Sequence, residues 1–297
     1  MKKHIFAACI AALGVAPAAA ADMAFKAAPA AIARPIYDWT GLYLGINGGG
    51  GQSHNCWDLN GANVPVYGGP VPGGSAFIGV SGAFNPALSE GCNNGTGAVA
   101  GGQIGYRYMV NSFVFGIEAQ GDWANLKGSN TSSIFNKINA AITPASINLT
   151  NTSKVDAIGM FTGQIGYSFG PLLWYVKGGA AVTNNQYDGA LSLNVPAGEE
   201  NQAFGLTATD HASAVRFGGV VGTGLDYMFA PGWSVGAEYN HLFMGSREVG
   251  LAYTGAAGTG AWSGLINSPA GVPSRHETIS QDIDMATVRL NYNFGAR

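Results

Sequence analysis

The chain has 297 residues with 14 Lys and Arg against 17 Asp and Glu, and only 10% of it is charged, well under the roughly 25% of soluble domains. Glycine, at 46 residues, is about twice its ordinary share, yet 47% apolar and 11% aromatic residues argue for an ordered fold. This balance excludes a nucleic-acid binder, and no apolar run is long enough for a transmembrane helix.

The N-terminus reads as an address. Lys2 and Lys3 precede an apolar stretch from Ile5 to Val15 and small residues before Asp22, the layout of a secretory signal peptide over residues 1–21. A lipoprotein reading through Cys9 is set aside, because the apolar stretch before Cys9 is short and continues past it. Cleavage removes two Lys and no acid, so the mature chain carries 12 basic and 17 acidic residues, formally −5. Residues 22–38 form an Ala/Pro-rich periplasmic arm, expected to be flexible.

Two cysteines remain after cleavage, Cys56 and Cys92. In an oxidising compartment the pair is most simply a disulfide, with free or metal-binding thiols as the alternative. A zinc site would need two further ligands, and His54 alone does not supply them. We expect no metal and no cofactor.

From Trp39 to the C-terminus the chain resolves into runs of period-2 alternation. Eight strands are expected near 40–50, 97–108, 113–126, 155–169, 172–183, 212–229, 233–243 and 282–294. Tight connections at 109–112, 170–171 and 230–232 alternate with long ones at about 51–96, 127–154, 184–211 and 244–281. An even number of antiparallel strands with short turns on one side and long loops on the other is the pattern of an outer-membrane barrel. The fold class is therefore all-β: residues 39–297 as a closed up-and-down transmembrane barrel, short turns periplasmic, long loops extracellular. An internal repeat supports the meander. GQIGY at 102–106 recurs at 163–167, and GLDY at 224–227 echoes it.

Parity assigns the faces. Phe113, Phe115, Ile117, Ala119 and Trp123 share one side of the third strand, while Glu118, Gln120 and Asp122 share the other. Ile104, Tyr106 and Tyr108 point outward with Gln103 and Arg107 inward, and the later strands repeat the split. Aromatics beside the tight turns favour a membrane interface, so the apolar face is read as lipid-facing and the polar face as lumenal. The inward charges are Arg107, Lys177, Arg216 and Arg289 against Glu118, Asp122, Asp226 and Glu238. An eight-stranded barrel is just wide enough for side chains to fill, and buried charges there must pair. They are read as an internal charge network, with a polar pathway as the alternative.

YDWTGLYLGINGG at 37–49, GGQIGYRY at 101–108, FVFGIEAQGDW at 113–123, PGWSVGAEY at 231–239 and ATVRLNYNF at 286–294 carry a family resemblance. The chain resembles the alphaproteobacterial small outer-membrane β-barrel proteins labelled porin-family or surface-antigen, related in architecture to the OmpA-type transmembrane domain. That resemblance implies residence in a Gram-negative outer membrane, contact with its lipid and lipopolysaccharide, and insertion by the barrel-assembly machinery. It also implies a terminal aromatic as assembly signal. Here Phe294 is that aromatic, but Gly295, Ala296 and Arg297 follow it.

Enzymatic readings are weak. His211 and Ser213 form an H-x-S pair on one face of a strand, a spacing some lipid A deacylases use, but no acid to orient the histidine is apparent because Glu238 points inward. His241 reads as an interfacial residue. GGGG at 48–51 lacks the Lys and helix of a phosphate loop. The Asn148–Thr150 sequon carries no weight in a bacterial surface protein. Two function classes remain: a structural, surface-displaying barrel, with loops open to a ligand or host factor, or a narrow porin. We expect a monomer without catalytic residues.

Overall fold

A computed structural model describes residues 37–63, 81–134, 146–195, 204–260, 267–268, 270–271 and 273–295. The expected signal peptide and the arm as far as residue 36 lie outside the described residues. Eight long strands are present: β1 (Gly41–Asn63), β2 (Ser81–Val110), β3 (Phe113–Thr131), β4 (Ser146–Phe169), β5 (Leu172–Val195), β6 (Phe204–Ala230), β7 (Trp233–Gly260) and β9 (Pro273–Asn293). A two-residue β8 (Asn267–Ser268) pairs with β7. The pairing is antiparallel throughout, β1 joins β9 with Tyr43 opposite Asn293, and β6–β7 pairing completes the ring.

Local chemistry sets the reversals. β2 turns into β3 through Asn111–Ser112, β4 into β5 through Gly170–Pro171, and β6 into β7 through Pro231–Gly232. Asn111, Gly170 and Gly232 carry φ of 55°, 79° and 77°, the positive values that two-residue turns require. Beside these turns the outward side chains are large and exposed, among them Tyr106, Tyr108, Phe113, Phe169, Trp233 and Phe294. A second exposed row, Trp123, Phe161, Phe217 and Phe243, stands further along the strands. Beyond it the outward residues become polar, for example Gln52, His54, Asn94, Lys127, Asn184 and Asp282. The two rows bound an apolar belt.

The strands outreach that belt. At about 3.3 Å per residue the 24-residue β5 runs roughly 80 Å, and tilted by about 40° it still exceeds an apolar band of about 25 Å. Much of what the sequence suggests are long connections, within 51–96, 127–154, 184–211 and 244–281, is therefore strand. The reason is pairing. Asn, Ser, Thr and Gly are poor strand formers alone, but here a neighbouring strand pairs with the outer stretches and satisfies their backbone groups. Cys56 and Cys92 face each other across β1 and β2 and are joined by a disulfide.

At the turn end, Trp39 enters the barrel mouth. It is 1% exposed and packs with Val114, Leu173, Tyr175 and Met228. Its Nε1 donates to Gly170 O at 3.4 Å, and Asn293 Nδ2 donates to its carbonyl at 3.1 Å.

The topology has a direct check. Single cysteines at outward positions above the belt, Ser129→Cys and Asn184→Cys, should react with a membrane-impermeant maleimide on intact cells. Pro171→Cys should react only after the outer membrane is opened. Labelling of Pro171→Cys in sealed cells would invert the assignment.

Candidate functional site

The interior is layered, and β9 serves as its ruler. From the turn end its inward residues are Asn293, Asn291, Arg289 and Thr287, then Met285 and Ile283, then Gln281, then Ile279, then Glu277 and Arg275, all buried. The first apolar layer gathers Val99, Ala124, Leu126, Val155, Ile158, Met160, Ala181, Val220, Leu242, Met244, Ile283 and Met285. A second contains Trp57, Tyr187, Ala212, Val249, Leu251 and Ile279. An interior read as polar throughout is thus corrected: two apolar layers separate three polar ones. β9 carries the pattern, since parity from Arg289 places Met285, Ile283 and Ile279 inward, and parity from Glu118 likewise places Ala124 and Leu126 of β3 inward. In β4 and β7 bulges hid it. Register shifts at Val155/Ala157 and Phe243/Gly245 exchange the faces of β4 and β7, so inward parity changes along each strand.

The lowest polar layer holds a compact ionic knot. Lys177 Nζ donates to Glu118 Oε1 at 3.0 Å, to Glu238 Oε1 at 2.6 Å and to Gln120 Oε1 at 3.3 Å. Arg289 forks across the same two carboxylates, Glu118 and Glu238. Two tyrosines brace the knot. Tyr43 donates to Glu118 Oε2 at 2.7 Å and Tyr175 to Glu238 Oε2 at 2.7 Å. Their rings lie against Gly105 and Gly224, where an added Cβ would come within 2.5 Å of the ring. Arg107 pairs with Asp226 at 2.8 Å, its guanidinium 4.5 Å from the Tyr43 ring centre.

All eight charges singled out from the sequence are buried, but they do not form one network. Arg216 stands in the second apolar layer. It donates to Tyr187 OH at 3.1 Å and to the carbonyls of Gly245 and Ile279 at 2.6 and 2.9 Å, and no described acid pairs with it. Asp122 has no basic partner among the described residues and accepts from Gln120 Nε2 at 2.8 Å. The four-against-four pairing is therefore three against three. Strand spacing explains it: Asp122 and Arg216 sit farther up their strands than the other six.

The outer wall carries four described histidines, of which His276 lies 4.0 Å from Glu248. His211 Nδ1 lies 2.7 Å from Asp188 Oδ1. The acid absent from the sequence reading comes from the preceding strand, where Asp188 stands opposite His211. Ser213 makes no hydrogen bond to that histidine. His241 Nδ1 and Tyr239 OH share Asp284 Oδ1, at 2.7 and 2.5 Å. His54 lies beside Cys56 and Cys92. Gly48–Gly51 run within β1, and Phe294 stacks edge-on against Tyr292 with ring centres 4.9 Å apart.

A cluster well above the apolar belt escaped the sequence reading because its residues fall in stretches read as loops. Arg275 meets Asp210 through two contacts of 2.9 and 3.1 Å, Glu90 at 3.2 Å, Glu277 at 3.1 Å and Asn151 at 3.0 Å. Three carboxylates surround one guanidinium. Burial pushes the Glu277 carboxyl from 4.5 up to about 9, opposed by Arg275 and reinforced by Glu90, Asp210 and Asp58. Glu90 is also raised, chiefly by burial. Because the folded value of Glu277 exceeds the unfolded one, its stabilising contribution is full below about pH 4.5 and is lost as pH rises toward 9. Thermal stability of the barrel in detergent should fall between pH 5 and 9, and Glu277→Gln should flatten that slope. An identical pH profile in the variant would remove Glu277 as the cause.

A search of solved structures finds the attachment invasion locus protein Ail of Yersinia pestis at 10% identity and TM-score 0.28, covering 85% of this chain and 99% of that one. It also finds the outer membrane protein OprG of Pseudomonas aeruginosa at 10% and 0.36, covering 86% and 97%, and Neisserial surface protein A at 11% and 0.28, covering 86% and 98%. None of these likenesses says what this chain does. No curated protein sequence matches it. A protein-family comparison matches residues 5–294, nearly the whole chain, and places the protein in the outer membrane protein beta-barrel domain family, which resides in the Gram-negative outer membrane.

Proposed function

We propose that this protein is a non-conducting outer-membrane barrel that contributes to envelope integrity and displays its extended outer end to the surroundings. The observation carrying this reading is the succession of packed layers along the interior. Trp39 sits in the mouth, the Lys177–Arg289–Glu118–Glu238 knot lies above it, and two apolar layers follow. An ion would have to break the knot and then cross an apolar layer that gives it no ligand, and such constrictions gate by dewetting. Its kinship is read as alphaproteobacterial porin-family or surface-antigen type. Its partners are read as outer-membrane lipid and lipopolysaccharide, the assembly machinery and a ligand met by the outer end, with the chain monomeric and without catalytic function. A narrow porin is the second reading, favoured by the polar lining of the lowest layer.

Single-channel recording of the refolded mature chain in a planar bilayer separates them, with heat-dependent gel migration reporting folding. Folded protein should give no steps of current; steady ion-selective current would establish the porin. Glu118→Lys would set a third cation beside Lys177 and Arg289. Breaking a buried pair costs about 3–5 kcal/mol, so the variant should unfold at clearly lower temperature or conduct. Unchanged stability with unchanged silence would show that the knot holds nothing.

A further inference from the structure

The outer wall above the belt holds one group of metal-ligating side chains among the described residues. The ligand atoms of His54, Cys56 and Cys92 lie within 4.8 Å of one another. With Asn94 they form a square on two strands. Cys56 stands opposite Cys92 and His54 opposite Asn94, with the members of each strand two residues apart and so on the same face. We propose that His54, Cys56 and Cys92, once a small-molecule thiol has reduced the disulfide, form a three-ligand site for a borderline or soft metal ion, Zn(II) or Cu(I).

The imidazole is already oriented for this. His54 Nδ1 lies 2.6 Å from Asn94 Oδ1, an atom that can only accept, so Nδ1 carries the proton. Nε2 keeps its lone pair and faces Cys56 Sγ at 3.3 Å. A histidine whose far nitrogen is held by a hydrogen-bond acceptor is the usual support for a metal-binding imidazole. The frame is fixed too. β1 is paired to β2 on one side and β9 on the other along this stretch, so opening the sulfur bridge leaves the backbone in place. Asp282, opposite His54 on β9, adds negative charge to the patch.

Access and chemistry agree. His54 and Cys92 are exposed and Cys56 is half-buried, so a dissolved thiol can reach the bridge. One thiolate attacks a cysteine sulfur and releases the other cysteine as thiolate; a second resolves the mixed disulfide. Two external thiols leave as their disulfide, and Cys56 and Cys92 are left reduced. A divalent ion then displaces the two thiol protons and takes two thiolates and Nε2, with a fourth position open. Thiolate and imidazole donors select zinc and monovalent copper over hard ions. The metal would tie β1 to β2 as the disulfide did.

The test uses the folded mature barrel in detergent, reduced with a phosphine that is then removed, with its thiols counted. Titration with cobalt(II) chloride should give thiolate-to-cobalt absorption saturating at one equivalent, lost on adding zinc and absent from the oxidised protein. Cys56→Ser should abolish the band and His54→Ala should weaken binding sharply. Asn94→Ala, which removes only the orienting contact, should cost about 10–100-fold in affinity. Two free thiols without the band, a band indifferent to His54→Ala, or a disulfide that resists reduction in the folded barrel would each overturn the site.

Discussion

Hydrocarbon offers no partner to a backbone N–H or C=O, and this constraint organises the whole molecule. A sheet that crosses it must pair every strand on both edges, which here means that β9 meets both β1 and β7 and that β6 meets β7. Closure then fixes the rest. Successive residues must face lipid and lumen alternately, so aromatics such as Phe113 and Phe115 alternate with inward residues along one strand. The same alternation that would define core and surface in a soluble sandwich here defines solvent and filling, with lipid as the solvent.

Filling an eight-stranded lumen creates its own problem. Polar side chains placed there have lost water and must find partners across the barrel. Lys177 and Arg289 solve it together by sharing Glu118 and Glu238, so two cations and two anions satisfy one another, with Tyr43 and Tyr175 taking up remaining lone pairs. Such a knot is a poor source of net stability, because desolvation offsets most of the attraction, yet losing one member is costly. Packing comes instead from the apolar layers, where Leu126, Leu242 and Ile283 have no exposed surface. The two kinds of layer divide the work: one holds the strands in register, the other keeps them together.

How much of this was legible varied with physics. Eight strands, their order and the three tight turns could be read, because aromatic alternation beside Gly170–Pro171 and Pro231–Gly232 is a local signal. Strand length could not, since the outer halves are rich in Asn, Ser, Thr and Gly, and only pairing with neighbours makes them strand. Nor could pairs set by register. Nothing near His211 points to Asp188, which reaches it across β5 and β6, and Arg275 meets Glu90 from 185 positions away. The apolar layers were partly visible in β9 and hidden by bulges in β4 and β7.

The two halves of the barrel therefore close for different reasons. Within the belt, lipid enforces the backbone hydrogen bonds that close the ring. Above the belt, water outside competes for the same groups, and an extended ladder of weak strand formers would fray. Side-chain cross-links stand there as well. The disulfide ties β1 to β2, Arg275 on β9 reaches β2, β4 and β6 through Glu90, Asn151 and Asp210, and Trp57 on β1 donates to Ser153 on β4 at 3.1 Å. Gln281 adds Asn55 on β1 and Asn185 on β5 at 3.0 and 2.9 Å. Side chains thus reinforce beyond the membrane what the absence of water enforces within it.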